Sequence, residues 1–271
     1  MHLEFETASL WVAPLEKFFW GYIAGVGAVG IVMICKLLSS LPNVFFQMFL
    51  SIVAPMMSTA NAVGNIEEVE HIYQMTTDWL VRFSLPLIIF LMVFTRPTLR
   101  LFGEEFALEG GLVLRLLIFA QFINLICGPI GSVMYMCGLE KKAFHISVVS
   151  TLLSACIMVV AVYTWGIVGV GLSTIFGVAF SNLAELRAVR ASLQIRWWNA
   201  RYMHWLSPLI ITVSVALLLN LYVSQPLGLV VSICVLYLVF HLSQWLIHGF
   251  NFDDQEIWLS MKHKYFSVAS K

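Results

Sequence analysis

Charge is what this sequence has least of. Only 11% of its 271 residues are Asp, Glu, Lys or Arg, against roughly 25% in ordinary soluble domains. The 15 basic residues balance the 15 acidic ones, so no global basic excess draws in a polyanion, and nucleic-acid binding drops out. Cysteine is sparse as well. Cys35, Cys127, Cys137, Cys156 and Cys234 lie mostly inside apolar runs without ligand or redox spacing, which reads as no disulfide and no metal. The opening MHLEFETASL carries Glu4 and Glu6 where a secretory signal has a basic region. A Ser/His/Asp set and a glycine-rich nucleotide loop are missing too, so the expectation is a non-enzyme without a cofactor.

What the sequence has in abundance is apolar length. Hydrophobic residues make up 60% of the chain, and the long runs demand helices, because in hydrocarbon a backbone must satisfy its own hydrogen bonds. The fold class is therefore all-α: a polytopic membrane protein with about eight spans of roughly 20 residues. The first, Met1 to Ile23, is interrupted by Pro14, Glu16 and Lys17. The second, Gly27 to Met57, is long enough to tilt or to kink at Pro42. Asn61 to Tyr73 reads as an interfacial helix or loop rich in carboxylates. Further spans follow at Thr76 to Thr95, Leu112 to Cys137, His145 to Tyr163 and Ile167 to Leu186. The last of these carries Gly169, Gly171, Gly177 and Ala179 for close helix contact. A basic segment with several tryptophans precedes two final spans, Leu206 to Val223 and Leu227 to Ile247. The domain division is a six-helix bundle over 1–191, a linker over 192–205, two added helices over 206–250 and a tail over 251–271.

Positive residues set the expected orientation. Lys141 and Lys142, then Arg187, Arg190, Arg196 and Arg201, then Lys262, Lys264 and Lys271 fall in alternate connections and read as cytoplasmic, with both termini on that side. Glu104, Glu105 and Glu109 fall opposite, with Arg96 and Arg100 as exceptions. Trp197, Trp198 and Trp205 are expected as an interfacial aromatic belt.

Pro14 to Ser58 joins an ionisable pair, a glycine-rich bend and a long apolar run. Glu16, Lys17 and Lys36 lie where lipid rejects charge, so they should face protein or water and are candidates for a pathway lining. Glu16 and Lys17 are candidates for coupling; the competing reading is a neutralising local pair. Pro42, Pro86 and Pro129 mark places where helices can bend.

PLEKFFWGYIAGVGAVGIVMICKLLSSLPNVFFQMFLSIVAPMMS, then RFSLPLIIFLMVFTRPTLRLFGEEF, GSVMYMCGLEKKAFH and WGIVGVGLSTIFGVAFSN together resemble the C-terminal half of a polysaccharide flippase. The similarity is to Wzx-type exporters of lipid-linked oligosaccharide in the multidrug/oligosaccharidyl-lipid/polysaccharide (MOP) superfamily, over about Pro14 to Ala191. It implies one MATE-like six-helix lobe plus two C-terminal helices, with an N-terminal lobe or a second copy as partner. The implied cargo is an isoprenoid-pyrophosphate-linked oligosaccharide moved across the bacterial plasma membrane for polysaccharide or O-antigen assembly. A pyrophosphate crossing about 30 Å of hydrocarbon needs a hydrated, cation-lined cavity.

On that reading Lys36, Arg115 and Arg82 are candidates for phosphate or anionic-sugar contacts. Gln121 and Asn124, one turn apart, are candidates for sugar hydroxyls. Structural roles compete with each. Arg82 has Asp78 four residues earlier as an ion-pair partner. Arg115, near the outer interface, has Glu109 or headgroups. Gln121 and Asn124 can instead join helices. Two other readings remain: a drug exporter of the same superfamily, and a membrane enzyme of glycan assembly.

Overall fold

A computed structural model describes residues 26–222 and 226–249. The first expected span, Glu16 and Lys17, and the tail from residue 250 lie outside the described residues. Within them the chain is helical: α1 (Val26–Ser39), α2 (Asn43–Ala62), α3 (Ile66–Val93), α4 (Thr95–Arg100), α5 (Glu104–Cys127), α6 (Ile130–Met136), α7 (Glu140–Trp165), α8 (Val168–Leu193), a 3-10 turn (Ala200–Trp205), α9 (Leu206–Asn220) and α10 (Pro226–His248). Seven stretches, in α2, α3, α5, α7, α8, α9 and α10, are long and apolar enough to cross a membrane, and α1 is a shorter apolar helix. An apolar helix lies in every expected span from Gly27 onward, but two of those spans are divided: Gly27 to Met57 into α1 and α2, and Leu112 to Cys137 into α5, which begins earlier at Glu104, and the short α6.

The Gly27 to Met57 run is divided rather than continuous. Pro42 has no N–H to extend the α1 ladder and disfavours a helical Leu41. The chain passes the break through tighter bonds, Leu41 N to Leu38 O at 3.3 Å and Asn43 N to Ser40 O at 2.9 Å. Pro86, by contrast, leaves α3 a single element.

The carboxylate-rich stretch before α3 is neither a loop nor a separate interfacial helix. Only Val63 to Asn65 connect α2 to α3, with Gly64 at φ +77°, and Glu67, Glu68 and Glu70 belong to the opening turns of the 28-residue α3. Asn65 caps it. Its side chain accepts from Glu68 N at 3.2 Å while its Nδ2 donates to Glu68 Oε2 at 2.9 Å, an N-cap reinforced by a side-chain bond, beside carboxylates that favour the positive end of the helix dipole.

The α3 helix is the centre of the bundle. One side buries Val69, Ile72 and Tyr73 against Val53, Met57 and Ala60 of α2 and against Val133 and Met134 of α6. Higher up, Leu80, Leu87 and Leu91 pack with Leu114 and Ile118 of α5 and with Leu236 and Phe240 of α10. The glycines of α8 allow the approach anticipated for them. A Cβ on Gly169 would overlap the backbone of Ala161 in α7, and one on Gly177 would meet Ser154 Oγ at 2.7 Å. Ser150 Oγ and Ser154 Oγ then reach across to the carbonyls of Gly177 and Ser173.

Candidate functional site

Two polar arrays lie inside this bundle. The first runs along α3 at steps of four: Glu70, Gln74, Asp78, Arg82. This spacing keeps the four side chains on one helical face, and that face captures the connector between α8 and α9. Glu70 accepts from Arg196 N at 3.0 Å, Gln74 Nε2 donates to Arg196 O at 2.8 Å, and Asn199 Nδ2 donates to Gln74 Oε1 at 2.6 Å. Asp78 Oδ1 accepts from Trp205 Nε1 at 2.6 Å, and Arg82 closes on Asp78 Oδ2 at 2.6 Å. Tyr202 stacks on Trp205 with ring centroids 4.4 Å apart. Trp205 is therefore buried rather than part of an interfacial belt, whereas Trp198 is exposed.

The second array joins α5, α6 and α8. Asn182 Nδ2 donates to Asn124 Oδ1 at 3.2 Å and to Val178 O at 2.9 Å. Ser181 Oγ donates to Glu185 Oε1 at 3.1 Å. The Glu185 carboxylate occupies the space a side chain on Gly131 would need, 3.3 Å from its ideal Cβ. Partial burial raises the Tyr135 phenol above its ordinary pKa, and the negative charge of Glu185 adds to the shift.

Beside this array the run from α5 into α6 breaks at Gly128 and Pro129. Gly128, at φ +63° and ψ −163°, is in a region open essentially to glycine, and a Cβ there would overlap Thr77 Oγ1. Tyr73 OH donates to Cys127 O at 2.6 Å across the same contact.

The residues anticipated for cargo are dispersed over these features. Arg82 is in the buried pair with Asp78, both side chains 15% exposed or less, which is the structural role weighed against a cargo contact. Asn124 joins α5 to α8, while Gln121 is half-buried with its Oε1 enclosed and unpartnered. Lys36 is half-buried in the last turn of α1, next to Cys35, whose Sγ lies 3.5 Å from Gly110 O of α5.

Arg115 is at the middle of the 24-residue α5, not near its outer end as expected, and no ion pair to Glu109 forms. It is exposed on the face that also presents Leu108, Leu112 and Phe119. Asn182 and Glu185 were not anticipated. The signal available was a carboxylate and an amide three residues apart within an apolar run, which in a membrane helix marks an inward-facing position.

Among the described residues no group of three or more His, Cys, Asp or Glu side chains could hold a metal ion. No curated protein and no solved structure matches the chain. The MatE family model matches residues 11–160, more than half of the chain and the stretch that contains α1 to α6 and most of α7. With its apolar helices and inward polar arrays, the chain belongs to the MatE family, membrane transporters of the MOP type.

Proposed function

We propose that this chain is one lobe of a flippase that carries a lipid-linked oligosaccharide across the bacterial plasma membrane. The observation that carries the reading is Arg115. A guanidinium exposed halfway along a candidate span is costly against lipid, so that face of α5 is better suited to a hydrated cavity or to a second lobe. There its fork of donors suits a pyrophosphate or an anionic sugar. Lys36 adds a second cation at the α1 to α2 break. The second lobe is an N-terminal-lobe partner or another copy of the chain. The chain moves its cargo without altering it, so it acts as a transporter and not as an enzyme.

The charged ends support an orientation with both termini cytoplasmic. Lys141, Lys142, Arg187 and Arg190 gather at one end, where Lys142 Nζ donates to Ser192 Oγ at 2.8 Å. At the other end Arg100 pairs with Glu104 at 3.1 Å, so one of the two exceptions to the charge bias is neutralised locally. The half-buried Glu185 is the feature that favours the second reading, a drug exporter, because a carboxylate suits cationic cargo.

The test is the carrier-linked oligosaccharide content of membranes from a strain lacking the chain, measured together with surface glycan. Accumulated carrier, lost surface glycan and failure of Arg115→Ala to restore either are expected. Normal carrier and glycan with raised drug sensitivity would replace the flippase by the exporter.

A further inference from the structure

We propose that the groove between the start of α7 and the end of α8 binds the phosphate of an anionic phospholipid, whose acyl chains lie along the outer face of α7. The groove has a volume of about 370 Å³ and is lined by Lys141, Lys142, His145 and Ile146 of α7 and by Ala188 of α8. Two side-chain bonds shape it. Lys142 Nζ donates to Ser192 Oγ at 2.8 Å, which draws the ammonium across to α8 and leaves two of its three N–H donors for a ligand. His145 Nδ1 donates to Lys141 O at 2.7 Å, holding the ring against its own helix.

The charge at this end has one sign in excess. Lys141, Lys142 and His145 are exposed, as are Arg187 and Arg190 on either side of Ala188. Among the described residues none of these Lys and Arg side chains forms an ion pair. The carboxylates nearest along the two helices are Glu140, half-buried at the first position of α7, and Glu185, which lies against Gly131 of α6. The amines are thus left to an outside anion.

Past the cations the same face turns apolar. Val149, Leu152 and Leu153 follow His145 and Ile146 at helical spacing and are 51%, 62% and 36% exposed, on a helix long and apolar enough to cross a membrane. A free phosphate uses only the amines. An anionic phospholipid uses both halves of the face, its head at the basic groove between two spans and its tails over the leucines. Phosphatidylcholine brings an ammonium of its own, which the lysines repel. The lining holds no amide or carboxylate for sugar hydroxyls, so a phospholipid suits it better than a glycan-bearing carrier. The inference needs only the helices and their charges, whatever the cargo.

The experiment titrates the purified full chain in detergent with phosphatidylglycerol or phosphatidylcholine and counts bound lipid by native mass spectrometry. Phosphatidylglycerol is expected to bind about fivefold more than phosphatidylcholine, or better. Lys141→Gln with Lys142→Gln should bring the two lipids close to parity, while Lys141→Arg with Lys142→Arg keeps the preference. Ala188→Trp, which fills the groove and leaves every charge in place, should also reduce it. Parity in the native chain overturns the proposal, as does a preference that survives the glutamine pair or Ala188→Trp. Displacement of the lipid by equimolar inorganic phosphate would make the ligand a free anion, and stronger retention of farnesyl diphosphate than of phosphatidylglycerol would give the groove to the carrier. Either result also overturns it. None of these readouts depends on transport, so they stand apart from the flippase test.

Discussion

Asp78 is the residue on which most of the interior polarity converges. It accepts from Trp205, whose indole N–H would otherwise be buried without a partner, and it neutralises Arg82 where water is scarce. Removing one member of such a pair leaves an uncompensated buried charge. Asp78→Ala is therefore expected to cost about 3–5 kcal/mol, read as a lower melting temperature of the purified protein in detergent. Arg82→Met added to Asp78→Leu should recover much of that loss, because neither charge then remains. If the double variant were as unstable as the single, the ion pair would not be the source of the effect.

Arg115 makes the contrasting case. Its exposed guanidinium touches no described partner, so Arg115→Ala should leave the melting temperature nearly unchanged while lowering carrier export. Arg115→Lys should restore export only in part, since a point charge replaces a bidentate fork. A large stability loss in Arg115→Ala would instead make it structural.

At the level of elements, the bundle is shaped by its breaks. Two of the three prolines singled out as bend points divide helices and one does not. Pro129 follows Gly128, whose φ of +63° has already ended α5, and Pro42 sits at the start of α2, whereas Pro86 is buried inside α3, which continues past it to Val93. The break after α5 has the tightest requirement, because Gly128 meets α3 with no room for a side chain. Gly128→Ala should cost more than the roughly 1–3 kcal/mol of backbone strain alone, since Thr77 must also move; the melting temperature again reports it.

The α3 cap is milder. Asn65→Ala should cost about 1 kcal/mol, and hydrogen exchange should rise in the first turn of α3 while its middle stays protected. Faster exchange along all of α3 would mean that the cap holds more than its own turn.

For the whole molecule the connector between α8 and α9 matters most. A basic linker between two membrane units reads as a loose tether, yet Arg196, Asn199 and Trp205 are bonded to Glu70, Gln74 and Asp78, and Tyr237 OH of α10 donates to Phe83 O at 2.9 Å. The final two helices are thus a fixed wall on α3. Glu70→Ala with Gln74→Ala should free the strap and increase tryptic cleavage after Arg196 several-fold in open membranes. Unchanged cleavage would show that the Trp205–Asp78 bond and the stacking of Tyr202 on Trp205 suffice to hold it.

By itself the sequence determined the helical class, the apolar centre of each span from Thr76 onward and the small-residue face of α8. These are local properties: a run of apolar residues must pair its own backbone in hydrocarbon, and a glycine permits close approach wherever a helix packs on it. It also carried the Asp78 and Arg82 pair, because partners four residues apart are neighbours on any helix.

Only the tertiary structure decided which face of α5 carries Arg115 outward, that Asn124 meets Asn182, that Glu185 fills the space beside Gly131, and that the carboxylates before Thr76 belong to the opening of α3. Each depends on contacts between residues far apart in the chain or on where a helix begins. Hydropathy is nearly blind to both, since a lone amide or carboxylate barely alters the mean of a 20-residue window, while its partner is fixed by the packing of helices dozens of residues away.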